Sequence, residues 1–140
     1  MSGKAFFDTN VLLYIYGGDD EAKRTRATAL FAEYTQSVNI LLSTQVVQEF
    51  YAAGSRKLNM PRSQLRELAL AFLDLPIIVV SSVHITRAME HEQRYQISFW
   101  DALIVAAAEA GGAELLYTED LNHGQKYGTV LVRNPFLPEN

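Results

Sequence analysis

Two hydrophobic patterns take turns along the chain: short runs that are apolar throughout, and longer segments that are apolar only at three- and four-residue steps. The first is the pattern of strands covered on both faces, and the second that of helices with one buried stripe. Residues 5–8 read as a first buried strand that ends at Asp8. Residues 11–16, Val-Leu-Leu-Tyr-Ile-Tyr, continue apolar as the first turns of a helix, which Gly17-Gly18 stops. Residues 21–36 repeat Ala27, Leu30, Phe31 and Tyr34 at helical spacing. Lys23, Arg24 and Arg26 lie on the same segment and are expected to form a solvated face.

A second strand is predicted over residues 39–43. Thr44 is expected to cap a helix over residues 45–58, with Glu49 in its first turns and Val46, Val47, Phe50 and Ala53 on its apolar side. Pro61 opens another helix carrying Leu65, Leu68, Ala69, Phe72 and Leu73. Arg56, Lys57, Arg62 and Arg66 gather around the turn between these two helices, the densest basic patch of the chain, either a contact surface for RNA or protein or a device for solubility.

Leu75-Pro76 breaks the pattern, and residues 77–80 give a third strand of β-branched residues, too apolar for an exposed edge. Ser82 then caps a helix running to about Tyr95 that carries His84 and His91. Residues 98–101, Ser-Phe-Trp-Asp, open the most apolar helix, residues 102–110, which Gly111-Gly112 ends. Ser98 and Asp101 have the spacing of a capping box, and Trp100 beside them is either core packing or a wall of the site, with packing expected. Residues 114–117 form a fourth strand followed by Thr118-Glu119-Asp120, residues 121–124 a turn, and residues 129–132 a last strand before an extended tail holding Pro135 and Pro138.

Alternating strands and helices imply right-handed crossovers and a mostly parallel sheet of about five strands sandwiched between helices. At 140 residues with 49% hydrophobic content, the chain fits one domain with a real core and no internal boundary. The absence of cysteine excludes disulfides and thiolate metal ligands. No apolar run approaches the roughly 20 residues that cross a bilayer, and no secretory hydrophobic segment precedes the first strand, so a soluble, cytoplasmic protein is expected. A formal net charge of −4 argues against a sequence-independent nucleic-acid coat, while leaving room for an acidic metal site with a local basic rim.

In such a sheet, chemistry gathers outside the carboxyl ends of the strands. Asp8 ends the first strand, Glu49 lies in the helix after the second, Asp101 starts the buried helix, and Asp120 follows the fourth strand, which is expected beside the first. Four carboxylates on one concave edge repel unless cations neutralise them, and oxygen donors without soft ligands favour Mg2+ or Mn2+ over zinc. Two histidines without a suitably placed third soft ligand do not make a zinc site. Thr9, Asn10 and Thr118 are the candidates to hydrogen-bond the carboxylates or the water around the metal. Divalent ions held in this way suit phosphodiester hydrolysis.

The blocks FFDTNVLLY (6–14), STQVVQEF (43–50), SFWDALIVAAA (98–108) and LLYTEDLNHGQKYG followed by NPF (115–136) occur in order over essentially the whole chain. In them the sequence resembles the PIN-domain family, and within it the VapC-type toxins of toxin–antitoxin pairs. The resemblance implies a three-layer α/β/α fold, a Mg2+- or Mn2+-dependent endoribonuclease, a homodimer and inhibition by a cognate antitoxin. Its acidic quartet falls on Asp8, Glu49, Asp101 and Asp120, and its supporting polar residue on Thr118. Glu119, next to Asp120, is a second carboxylate at that position, and the family pattern favours Asp120. Two rivals are a PIN-like binding module without catalysis, against which the intact quartet weighs, and a haloacid-dehalogenase-like phosphatase. The phosphatase needs a second acid where Asn10 stands.

Overall fold

The computed structural model describes residues 3–138 and realises the alternation as β1 (Ala5–Phe7), α1 (Thr9–Tyr16), α2 (Glu21–Gln36), β2 (Ile40–Ser43), α3 (Thr44–Lys57), α4 (Arg62–Leu73), β3 (Ile77–Ile78), α5 (Ser82–Tyr95), α6 (Phe99–Ala110), β4 (Leu115–Tyr117), β5 (Lys126–Tyr127) and β6 (Val130–Arg133). The sheet order is β3-β2-β1-β4-β6-β5. Every neighbouring pair is parallel except β5 and β6. Helices flank both faces in a three-layer α/β/α arrangement: α1 packs against α2 and α3, α3 against α4, and α5 against α6, which itself touches β2, β3 and β6.

Strand β1 is the axis of the molecule. It pairs with β2 on one side and β4 on the other, so the chain leaves it in opposite directions and a crevice opens between the carboxyl ends of β1 and β4. Its three residues are fully buried because helices cover both faces. Phe7 sits in an edge-packed group with Phe31, Tyr34 and Tyr117. Buried residues 102–108 of α6 include four alanines, small enough to bring the helix close to the sheet. Its C-terminal Gly111 lies so near β2 that an added Cβ would stand 2.2 Å from Leu41 Cδ2. No helix among the described residues is long and apolar enough to cross a membrane.

Several local expectations are corrected. Helix α3 is capped by Ser43, whose hydroxyl accepts from the Val46 amide at 3.4 Å, because Ser43 still has extended backbone while Thr44 is already helical. The Thr44 hydroxyl instead accepts from the Val80 amide at 3.1 Å, which draws the chain out of the sheet and limits β3 to two half-buried residues at the edge. Val79, expected inside a buried strand, is 68% exposed. The N-cap of α5 is Ser81, whose amide donates to His84 Nδ1 at 3.0 Å, so this histidine serves the helix end. The last strand is Val130–Arg133, and an additional short strand, β5, forms a hairpin with it through Gly128 at φ +59°. Two residues are too few to show a hydrophobic period, so β5 left no pattern to read.

Candidate metal centre

Asp8 leaves β1 with its backbone still extended and becomes the N-cap of α1, its Oδ1 accepting from the Thr9 amide at 2.7 Å. The Thr118 hydroxyl, arriving from the end of β4, donates to Asp8 Oδ2 at 2.7 Å. Both oxygens are thus fixed, one by the first residue of α1 and the other by the residue that follows β4. Thr118 Oγ1 also accepts from the Asp120 amide at 3.0 Å, which shapes the turn that presents the Asp120 carboxylate. Asn10 Nδ2 donates to Asp120 Oδ2 at 3.0 Å and lies 3.4 Å from Thr118 Oγ1. An amide therefore holds the position where a phosphatase would need its second acid.

Asp101 enters from the opposite layer. Ser98 Oγ accepts from the Asp101 amide at 3.1 Å, so Ser98 is the N-cap that fixes the first turn of α6 at the crevice. Carboxylate oxygens of Asp8, Asp101 and Asp120 lie within 4.8 Å of one another. Glu49 lines the same pocket, about 200 Å³ in volume, held by Thr9 Oγ1 at 2.6 Å and Gln45 Nε2 at 3.2 Å. All four acids and Thr9, Asn10 and Thr118 therefore come together. A larger hollow of about 770 Å³ over α2 and β6 lacks this chemistry, since the three aspartates are the one group of acids and histidines among the described residues close enough together to hold a metal ion.

The electrostatics follow from burial and like charge. Burial raises the Asp8 carboxyl from its ordinary range to about 7, against the hydrogen bonds from Thr118 and Thr9, and the Asp120 and Glu49 charges push the same way. Burial also raises Asp101, against its bond with Ser98 and with reinforcement from Asp120 and Glu49. At an effective dielectric of about 20, two unit charges 4.8 Å apart repel by roughly 3 kcal/mol. A divalent cation would replace that repulsion with attraction, and the all-oxygen donor set fits Mg2+ or Mn2+. Two pocket-wall residues, Asn10 and Gln45, each keep a buried amide oxygen without a hydrogen-bond partner. Buried acceptors of this kind ordinarily have partners, so unmet donor demand at this wall also fits a hydrated cation.

Two site residues were missed or misplaced by sequence reasoning. Gln45 is one helical turn before Glu49 and donates both to it and to the Trp100 carbonyl, the latter at 3.2 Å. The four-residue spacing on α3 was the available signal. Trp100, expected in the core, is 62% exposed and forms a wall of the pocket. With Ser98 as the cap, Phe99 turns toward the small cluster around Ala102 and Leu103, and the next residue is carried round to solvent. Glu119 does not join the acids. It accepts from Tyr14 Oη at 2.9 Å and pairs with Lys23 at 2.5 Å, which places Lys23 in a packed contact rather than on a solvated face. Arg26 likewise donates to the Pro135 carbonyl at 3.1 Å.

A sequence profile of the PIN domain matches residues 5–128. The chain belongs to the PIN-domain family. Its fold is shared with solved structures at low sequence identity. The toxin–antitoxin complex from Klebsiella pneumoniae is 22% identical over 94% of this chain and 98% of its own, with a TM-score of 0.70. VapC20 of Mycobacterium tuberculosis, a sarcin–ricin loop cleaving toxin, is 20% identical over 84% of this chain and 90% of its own, TM-score 0.66. VapBC2 of Rickettsia felis, bound to a DNA fragment from its promoter, is 18% identical over 92% and 96%, TM-score 0.65. A search of curated proteins finds no match. This PIN domain carries its acid pocket at the β1–β4 crevice, where its topology switches direction.

Proposed function

We propose that this protein is an endoribonuclease that hydrolyses RNA phosphodiester bonds with Mg2+ or Mn2+, and that it is the toxin of a toxin–antitoxin pair. The observation that carries the catalytic reading is the convergence of Asp8, Asp101 and Asp120 within 4.8 Å, with Glu49 on the same pocket. Asp8, Asp101 and Asp120 would hold the cation directly, and Glu49 either shares in this or orients the attacking water. When bound, the cation supplies a lowered pKa for that water and neutralises charge on the phosphate.

The chain's own groups have separable tasks. Thr118 and the Thr9 amide fix the two oxygens of Asp8, leaving the carboxylate's remaining lone pairs for the cation. Thr9 Oγ1 and Gln45 Nε2 hold both oxygens of Glu49, so its orientation toward a water is set before substrate arrives. Asn10 restrains Asp120. Trp100 offers an exposed aromatic surface beside the acids on which an unpaired base can stack.

The toxin assignment is supported by the nature of the structural neighbours, several of which are toxin–antitoxin complexes. On this reading a cognate antitoxin covers the acidic groove, the protein works in the cytoplasm with its RNA, and the free toxin is a homodimer; sedimentation of a monomer at working concentration would remove the last point. The activity test uses protein freed of any antitoxin, incubated with cellular RNA and manganese. New RNA ends that disappear with chelator and in Asp8→Asn protein are expected. RNA that is bound but never cut would mark a binding module instead.

A further inference from the structure

The acid pocket continues into a second hollow of about 350 Å³, and the two share Asn10, Leu13, Lys57 and Asp120. Together they form a trough from the aspartates to Gly17-Gly18. These two glycines present no side chain at its far end, which leaves backbone exposed to close approach. Besides the shared Asp120, the carboxylate that the second hollow adds is Glu119, already paired with Lys23 at 2.5 Å, so that stretch brings no further uncompensated negative charge.

Lys57 stands on both hollows, in the last turn of α3, exposed and without an ion pair among the described residues. Its neighbours in the basic patch are placed differently. Arg56 borders neither hollow, and Arg62 lies over the Tyr51 ring at 5.0 Å. A polyanion entering a pocket of four carboxylates needs positive charge beyond the one reacting phosphate, and Lys57 is the cation positioned to give it.

Resting on the ribonuclease reading, we propose that Lys57 binds the phosphate next to the scissile one, so that the hollow beside Gly17-Gly18 seats the flanking nucleotide of a single-stranded RNA. Lys57 is then a substrate-positioning residue with no part in holding the cation.

The test measures binding of a fluorescein-labelled, random-sequence single-stranded oligoribonucleotide of about ten nucleotides, in manganese and over a salt series. It uses Glu49→Gln protein, which keeps the three aspartates. Adding Lys57→Gln is expected to weaken binding roughly tenfold and to flatten the slope of log affinity against log salt by about 0.7. Lys57→Arg restores both, Arg56→Gln changes neither, and the manganese isotherm stays the same throughout. Equal weakening by Lys57→Gln and Arg56→Gln would overturn the proposal in favour of a diffuse charge effect. Unchanged binding in Lys57→Gln, with the parent protein still binding RNA, would overturn it and leave the ribonuclease reading intact. No binding by the parent and no cutting by the wild type would remove both.

Discussion

Two carboxylates in this fold are largely withdrawn from water, and their surroundings treat them oppositely. Burial pushes Glu109, on α6, upward, but hydrogen bonds from His91 and Arg87 outweigh it, with the Thr129 amide contributing, and leave Glu109 below its ordinary range. The packing ties α5, α6 and the β5–β6 hairpin together around one satisfied acid. Asp8 receives only neutral donors, Thr118 and the Thr9 amide, and faces three further acids, so its carboxyl rises to about 7. Where the chain supplies its own cation, Arg87, the buried acid serves the fold; where it supplies only neutral hydrogen bonds and more acids, the chain leaves the charge uncompensated.

The largest expected effect separates the two regions outright. Asp8→Asn should abolish RNA cleavage while the protein stays folded, a loss greater than the roughly 10–100-fold that follows removal of a group which merely orients a metal ligand. Rates of RNA cleavage beside circular dichroism spectra check this; wild-type turnover would break the assignment. Thr118→Val removes such an orienting group and is expected to cost about 10–100-fold in activity or metal affinity. Glu109→Gln should do the reverse of Asp8→Asn, lowering stability to urea by about 1–3 kcal/mol while the folded protein keeps its manganese affinity.

The two acids also carry opposite pH dependences in metal-free protein. The folded pKa of Asp8 lies above its unfolded value, so folded protein holds a proton that the unfolded chain has released. Its stabilising contribution is complete below about 4 and is lost as pH rises through about 7. Glu109 has a lowered folded pKa, so its contribution is present above its unfolded value and lost as pH falls through the lower one. Urea melts in chelator should therefore show stability declining from pH 5 to pH 8 in wild type, with the decline reduced in Asp8→Asn. The smallest effect concerns Glu119→Gln, which loosens a partly exposed ion pair worth up to about 1 kcal/mol and leaves the manganese isotherm unaltered.

Much of this was legible in the chain. Asp8 stands at the junction of a buried run and a helix, and the strand–helix alternation alone brings the ends of β1 and β4 together. The assembly of Asp8, Glu49, Asp101 and Asp120 was therefore readable from topology and from the family blocks around them. What stayed hidden depends on side-chain direction and long-range partners. Trp100 looks like a core residue in a string of apolar neighbours, and only the cap at Ser98 fixes which way it turns. Glu119 and Asp120 are adjacent and chemically alike, and they are told apart by Lys23 and Tyr14, about a hundred residues away. Thr44 and Ser43 are both caps by type, and the choice rests on where β2 ends.

The most direct measurement is a calorimetric titration of manganese into metal-free protein at neutral pH, run in two buffers of different ionisation heat. Saturable binding with proton release, strongly weakened in Asp8→Asn and unchanged in Glu119→Gln, is the expected result, because the cation must displace the proton that burial holds on Asp8. An isotherm with no heat of binding, or one that Asp8→Asn leaves intact, would contradict the claim that these carboxylates form a site for a hard divalent cation.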